Sequence, residues 1–204
     1  KGESPYGSDD ESEVDYSIIP YSIHSFVNNP SFTLFADHHY LLNEKDCYGI
    51  AGSCNGLICL IGERLVTFTV EYQEHEYWFR LWNPATRAIS EKIGCFIDYR
   101  GFGFNFGCDN STGTFKAVAS RYIHDQLTSD VRVFSFDENV WRNIQSFPVV
   151  PFNLSGHGSL EHDAVFFNGT LNWLAVRNDI PYTWYCHPEH LTVEQFVIVS
   201  LDLG

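Results

Sequence analysis

Apolar and polar residues alternate at the start of the best-defined turn in the chain. Phe79 and Leu81 are apolar and Arg80 between them is polar, which is the period-two pattern of a half-buried strand. The pair Asn83-Pro84 ends this strand, because proline lacks a backbone donor and keeps the residue before it out of the helical region. Residues 87–93 then return as a second strand, so the pattern predicts a β-hairpin.

A second hairpin is predicted at Asn55-Gly56, because both residue types tolerate the positive φ angles that a type I′ turn requires. The short apolar run at residues 57–61 is typical of a buried strand. Further strands are predicted over residues 64–70 and 77–82. A polar loop is expected between them, over residues 71–76.

Turns of these two kinds recur along the chain. Turns of the first kind lie at residue 55, near residue 111 and at residue 168, and those of the second kind near residues 84, 138 and 202. Four short strands in a repeat of this length are typical of a propeller blade. We therefore predict an all-β, propeller-like fold with about three blades, in a ring that is incomplete in this chain. Two further strands are expected within residues 16–42, around a turn at residues 28–30.

Tryptophans recur at predicted strand positions of the three units, as Trp82, Trp141 and Trp173. Large aromatic side chains dominate the energetics of protein cores. We expect these three side chains to be buried and to hold one blade against the next.

Composition excludes several classes of protein. The chain has 204 residues, of which 44% are hydrophobic and 19% charged, so it can bury a core and is not disordered as a whole. The net charge of −14 disfavours a nucleic-acid partner, and no segment has the length and apolarity of a membrane span. Much of the negative charge lies in residues 1–15. We expect an acidic mobile segment there and a propeller-like domain over residues 16–204.

The six cysteines contain no Cys-x-x-Cys pair. Unpaired cysteines with irregular spacing are typical of reduced thiols that fill a core in the cytosol or nucleus. We therefore expect reduced cysteines throughout.

Five segments resemble, in family order, the successive blocks of the plant F-box-associated domain. They are Gly52 to Leu60, Leu81 to Arg87, Gly101 to Phe104 with Lys116 to Val118, Val133 to Phe136 with Trp141-Arg142, and Asn168 to Leu174. This domain is the kelch-like half of many plant F-box proteins, including the S-locus F-box group. The resemblance covers about residues 50–204, although the double glycine of true kelch repeats is missing.

The resemblance implies a substrate-recognition module of an SCF-type (Skp–cullin–F-box) ubiquitin ligase, which binds a target protein for ubiquitination. It implies no catalysis by the chain itself and no cofactor. A Skp-type adaptor and a cullin would be reached through an N-terminal F-box segment, which we expect to be absent from this chain. The expected location is cytoplasmic and/or nuclear.

Candidate chemistry outside this resemblance is sparse. The segment 186–190 contains Cys186, His187 and His190, but a closed zinc site needs four ligands, so a polar loop is favoured over a metal site. Glu161 and Asp163 form a carboxylate pair of the kind used in glycoside hydrolysis. The alternative function is therefore a propeller-type sugar-binding protein or a glycoside-processing enzyme.

A partner-binding surface is predicted in the long connection of residues 177–192. Aromatic residues in long loops are typical of binding hot spots. The candidate residues in this connection are Tyr182, Trp184, Tyr185 and His187. Tyr72 and His75, in the predicted loop of the first unit, are weaker candidates for the same role.

Overall fold

The structure is a computed structural model, and the chain divides into two compact units, Lys1–Tyr48 and Gly49–Gly204. The structure describes residues 17–18, 27, 40–42, 45–69, 72–99, 101–123, 128–144, 150–151, 164–176 and 192–204. The acidic segment predicted over residues 1–15 lies outside these ranges. The domain boundary expected at residue 16 stays a prediction.

The first unit contains one short antiparallel pair of strands, β1 (Ser17–Ile18) and β2 (Tyr40–Leu41). Directly after β2, the carbonyl of Leu42 accepts hydrogen bonds from the amides of Lys45 (2.9 Å) and Cys47 (3.0 Å). These bonds turn the chain at the end of the pair.

The first sheet of the second unit is antiparallel. Its strands are β3 (Gly49–Cys54), β4 (Leu57–Phe68), β5 (Gln73–Asn83), β6 (Ala88–Ile89) and β7 (Ile93–Tyr99). Both β6 and β7 pair with β5, on the edge that β4 leaves free. The two short strands therefore share the fourth position of a four-stranded blade.

The second and third sheets follow in sequence order and are also antiparallel. The second contains β8 (Gly103–Cys108), β9 (Phe115–Ile123), β10 (Thr128–Ser135) and β11 (Val140–Ile144). The third contains β12 (Val150–Pro151), β13 (Val165–Phe167), β14 (Thr170–Val176) and β15 (Phe196–Asp202), with a 3-10 helix at Val193–Gln195. In the third sheet, β14 is central, with β12 and β13 on one edge and β15 on the other.

Hairpin turns form where Asn-Gly pairs predicted them. Asn55 and Gly56 have φ angles of 48° and 79°, and Asn168 and Gly169 have angles of 50° and 82°. A type I′ turn requires positive φ at both central positions, which glycine and asparagine adopt at the lowest cost.

The first hairpin turns of the three sheets lie side by side. The amide of Asn55 donates a hydrogen bond to the sulfur of Cys108 (3.3 Å), and a Cβ atom on Gly169 would lie 3.4 Å from the amide nitrogen of Asn110. We call this side of the second unit the turn rim. Strand β4 begins next to the Asn55-Gly56 turn and ends at Phe68. Phe68 therefore lies on the side of the sheet opposite the turn rim, which we call the opposite rim.

Side chains from adjacent sheets form the core. Phe79 of the first sheet lies against Phe134 and Trp141 of the second, with ring centroids 6.3 and 5.9 Å away. Between the second and third sheets, the buried cluster is Val118, Val131, Leu171, Trp173 and Leu203. Gly107 permits the close approach here, because a Cβ atom on it would lie 2.5 Å from the Phe166 ring.

These sheets confirm the predicted fold class. The described residues of the second unit form antiparallel, four-stranded blades that pack face to face in sequence order, as in a kelch-like β-propeller. The predicted incompleteness of the ring stays a prediction. In the described ranges, no helix has the length and apolarity needed to cross a membrane.

The prediction of a loop over residues 71–76 is wrong for most of that range, because β5 begins at Gln73. The run is polar because its alternate side chains, Glu74 and Glu76, lie on the solvent-facing side of the sheet, and Glu76 pairs with a charged neighbour. Glu76 and Arg64, directly opposite on β4, form an ion pair of 2.6 Å. Such cross-strand pairs stabilise an exposed sheet face.

Candidate functional site

Four of the six predicted partner-binding residues lie outside the described residues: Tyr182, Trp184, Tyr185 and His187. The strands on either side of their connection end at Val176 and begin at Phe196, and these two residues pair with each other. Phe68 and Gln73 form the equivalent pair at the end of β4 and β5. The strand ends that flank both connections therefore lie on the opposite rim.

Tyr72 belongs to an exposed apolar surface on this rim. The exposed fractions of Tyr72, Ile97 and Tyr99 are 43%, 56% and 51%. The rings of Tyr72 and Tyr99 meet edge to face, with centroids 5.8 Å apart, and Ile97 lies two residues before Tyr99 on the same face of β7. We call these three residues the Tyr72 patch. Contiguous exposed apolar side chains are typical of interaction sites.

Thr69 holds the backbone of Tyr72 in place. The Thr69 amide and hydroxyl both donate hydrogen bonds to the carbonyl of Tyr72, at 2.9 and 3.0 Å. The same hydroxyl accepts a hydrogen bond from the Tyr72 amide at 3.0 Å. An ordered aromatic side chain loses less entropy when a partner binds.

His75 lies below the surface rather than in a loop. It belongs to β5 and is only 7% exposed, since it points to the opposite face of the sheet from Glu74 and Glu76. Its Nδ1 atom is 2.5 Å from the Glu63 carboxylate, and its ring stacks on Tyr77 with centroids 6.2 Å apart. His75 therefore supports the rim from inside and is not placed to contact a partner directly.

Two carboxylates lie on the same face as the Tyr72 patch. Glu74 is directly opposite Tyr99, and Glu76 is directly opposite Ile97. Arg64 pairs with Glu76. Among the described residues, Glu74 forms no ion pair, and its carboxylate lies beside the aromatic pair.

Asp98 anchors the strand that carries Tyr99. Its side chain points toward the second sheet and accepts hydrogen bonds from Arg121 (3.0 Å) and Arg132 (2.6 Å). Asp130 accepts from the same two guanidinium groups, at 3.2 and 2.7 Å. Because the Tyr99 amide also donates to Asp98 (2.7 Å), the network fixes the base of the patch.

The network shifts the ionisation of Asp98. Burial raises the pKa of this carboxyl, but hydrogen bonds from the Tyr99 amide and Arg132 and the charges of Arg121 and Arg132 together outweigh it. The pKa in the folded protein therefore lies below the ordinary value of 3.8. A carboxyl with a lowered pKa stabilises the fold above its unfolded pKa, and this contribution is lost as the pH falls through the folded pKa.

We expect the Asp98→Asn variant to lose about 1–3 kcal/mol of unfolding free energy at neutral pH, because charged hydrogen bonds across the two sheets become neutral. The wild-type advantage should shrink as the pH is lowered below about 4, where the unfolded carboxyl becomes protonated. Urea denaturation at several pH values measures both effects.

The matched control is Glu91→Gln, which removes the charge of an exposed carboxylate that lies before β7 and outside this network. Its unfolding midpoint should stay close to that of the wild type at every pH. An Asp98→Asn midpoint that matches this control would show that the network contributes nothing to stability.

Two of the three tryptophans are buried as predicted. Trp82 and Trp173 are 2% and 1% exposed. Trp141 is only partly buried, yet its indole nitrogen donates a hydrogen bond to the carbonyl of Gly94 in the first sheet (3.0 Å). The expected contact between blades is confirmed for Trp141, but not full burial.

The expectation of reduced cysteines throughout is wrong for one pair. Cys54 and Cys108 form a disulfide, with Cα atoms 6.5 Å apart. Each residue ends the first strand of its hairpin, and their separation of 54 residues matches the blade repeat. The repeat therefore places them at equivalent positions of neighbouring sheets. The other described cysteines lie outside this bond: Cys47 and Cys59 are buried thiols, and Cys95 is an exposed thiol.

The remaining candidates for chemistry lie outside the described ranges. They are the segment 186–190, with Cys186, His187 and His190, and the carboxylates Glu161 and Asp163. Among the residues with described positions, no group of three or more His, Cys, Asp or Glu side chains could hold a metal ion.

Comparison with known proteins identifies relatives among plant F-box proteins. The chain is 31% identical over 186 residues to the F-box/kelch-repeat protein At3g23880 of Arabidopsis thaliana, in an alignment that covers 88% of this chain and 46% of the relative. It is 32% identical over 136 residues to the putative F-box protein At1g33530 of the same plant, covering 65% of this chain and 26% of the relative. The chain thus spans less than half the length of these curated relatives.

No protein-family model matches the chain, and no solved structure matches it significantly. The specific similarity to the S-locus group stays an interpretation of the sequence. The sequence similarity and the kelch-like blades nevertheless agree with each other. By sequence the chain is therefore similar to plant F-box proteins, one of them of the kelch-repeat type.

Proposed function

We propose that this chain is the target-binding module of the substrate-recognition subunit of an SCF-type ubiquitin ligase. The names of both relatives include the F-box, the element that connects such subunits to a Skp-type adaptor and a cullin. In this proposal the chain performs no catalysis, and ubiquitin transfer belongs to partner subunits. It acts in the cytoplasm and/or nucleus.

The Tyr72 patch is the observation that carries the target-binding role. The side chains of Tyr72 and Tyr99 are exposed, and hydrogen bonds from Thr69 and to Asp98 hold their backbones in place. Tyrosine is enriched at hot spots because it buries a large area while losing little conformational freedom.

The test is capture of target proteins by a full-length F-box protein that contains this chain. A double variant, Tyr72→Ala with Tyr99→Ala, should capture its ubiquitinated targets at least about tenfold less efficiently, as expected for two hot-spot residues. The melting temperature should stay within a few degrees, because both side chains are exposed. Quantitative mass spectrometry of affinity-purified complexes measures the capture.

The matched control is Phe167→Ala, which removes an aromatic side chain that is 73% exposed on the third sheet. It should capture targets normally. Binding to the Skp-type adaptor should be unchanged in all variants. This control distinguishes weaker target binding from a failure to assemble with the adaptor. Normal capture by the double variant would place target recognition on another surface.

A further inference from the structure

We infer that the Tyr72 patch recognises an arginine or lysine side chain of the target, next to an apolar residue. This inference rests on the proposed function and names the chemistry of the target segment. The partner that binds the patch is therefore a basic segment of a protein.

The position of Glu74 is the first argument. Glu74 and Tyr99 are direct cross-strand partners, and such residues have Cβ atoms about 4.5–5.5 Å apart on one face of a sheet. Because Arg64 neutralises Glu76, the carboxylate without an ion pair among the described residues is the one beside Tyr99. A cation placed here would gain from the carboxylate and from the aromatic ring together.

The apolar part of the surface supplies the second argument. Ile97 is 56% exposed and follows Tyr99 along the same face of β7. An arginine or lysine buries its aliphatic stem along apolar surface while its charged group reaches a carboxylate. The patch therefore offers contacts for the stem, the charged group and a neighbouring apolar side chain.

The net charge of the whole chain also favours a positively charged partner. The net charge is −14, so the field around the protein attracts basic segments and repels acidic ones. An acidic segment would place its carboxylates against Glu74, which has no ion pair with the other described residues. Binding to the predicted segment should accordingly weaken as ionic strength rises.

The test begins with selection of short random peptides on the immobilised 204-residue chain. Peptides that also bind the Tyr72→Ala, Tyr99→Ala double variant are removed by counter-selection. The remaining sequences should be enriched in arginine or lysine next to an aliphatic or aromatic residue. Enrichment in acidic sequences, or no enrichment in basic residues, would overturn the inference.

A selected peptide is then measured against charge variants by fluorescence anisotropy. Glu74→Gln should weaken its binding about fivefold, the effect of losing one partly exposed ion pair beside an aromatic ring. Glu91→Gln, a change at an exposed residue before the start of β7, should leave the affinity unchanged. Equal affinities for wild type and Glu74→Gln would show that Glu74 does not recognise the cation.

Cys95 provides a check on where the peptide binds. This exposed free thiol lies two residues before Ile97 on the same face of β7. A peptide bound on the patch should slow alkylation of Cys95. The alkylation product that is missing in a Cys95→Ala variant is assigned to Cys95. An unchanged alkylation rate in the presence of saturating peptide would place the peptide elsewhere and overturn the inference.

Failure of this inference and failure of the proposed function give different results. Neutral peptides that depend on Tyr72 and Tyr99 would refute basic recognition, while the patch would remain a binding surface. Normal target capture by the full-length double variant would refute the patch as the target-binding surface.

Discussion

Replacing Trp173 with alanine should lower the free energy of unfolding by about 3–5 kcal/mol, as measured by urea denaturation. Trp173 is 1% exposed and packs with Val118 and Val131 of the second sheet. On its own side it packs with Leu171 of the third sheet and with Leu203, which directly follows β15. Its removal loses buried apolar area and leaves a cavity between two blades. For a domain of ordinary stability, about 5–15 kcal/mol, this loss is a large share of the free energy of unfolding.

Ile198→Ala is the matched control for this prediction. Ile198 is 74% exposed, whereas its neighbour Val199 pairs with Trp173 and packs against the buried cluster. The control should change the unfolding free energy by less than about 0.5 kcal/mol. If Trp173→Ala costs no more than Ile198→Ala, the packing between the second and third sheets is not as described.

Reduction of the Cys54–Cys108 disulfide should lower the free energy of unfolding by about 4 kcal/mol. A cross-link over 54 residues removes that much loop-closure entropy from the unfolded chain. The measurement compares unfolding midpoints with and without reductant, after mass spectrometry has verified the oxidised state. In a reducing cytosol or nucleus, the thiol form and its lower stability would apply.

The double variant Cys54→Ala with Cys108→Ala should not respond to reductant, because it cannot form the bond. Cys95→Ala, which removes an exposed free thiol, should respond as the wild type does. Equal midpoints of the wild type in oxidising and reducing buffer would indicate that the two sulfurs are not bonded in solution.

Local signals were sufficient to predict the turns and the fold class. An Asn-Gly pair specifies a tight turn through its own backbone preferences, so Asn55-Gly56 and Asn168-Gly169 were located correctly without knowledge of their surroundings. The spacing between such turns then predicted four-stranded units, and the blades confirm it. Trp82 and Trp173 were correctly placed in the core because large aromatic side chains at strand positions are seldom left in water.

The polar strand at residues 73–76 could not be predicted, because its stability depends on partners that lie elsewhere in the sequence. Glu76 pairs with Arg64, and His75 is covered by packing that begins only when the sheets meet. The periodicity of apolar residues indicates which side chains face the core. It does not show which charged residue of another strand will lie opposite a given polar residue.

The amino-acid sequence by itself determined the apolar strands, the turns and the repeat, since these follow from backbone preferences and from the spacing of apolar residues. Only the tertiary structure decided which residues of different blades meet. It paired Cys54 with Cys108, enclosed Asp98 between two arginines and left Tyr72 and Tyr99 together on an exposed rim. The physical reason is that these contacts join residues many positions apart, and their geometry exists only after neighbouring sheets have packed.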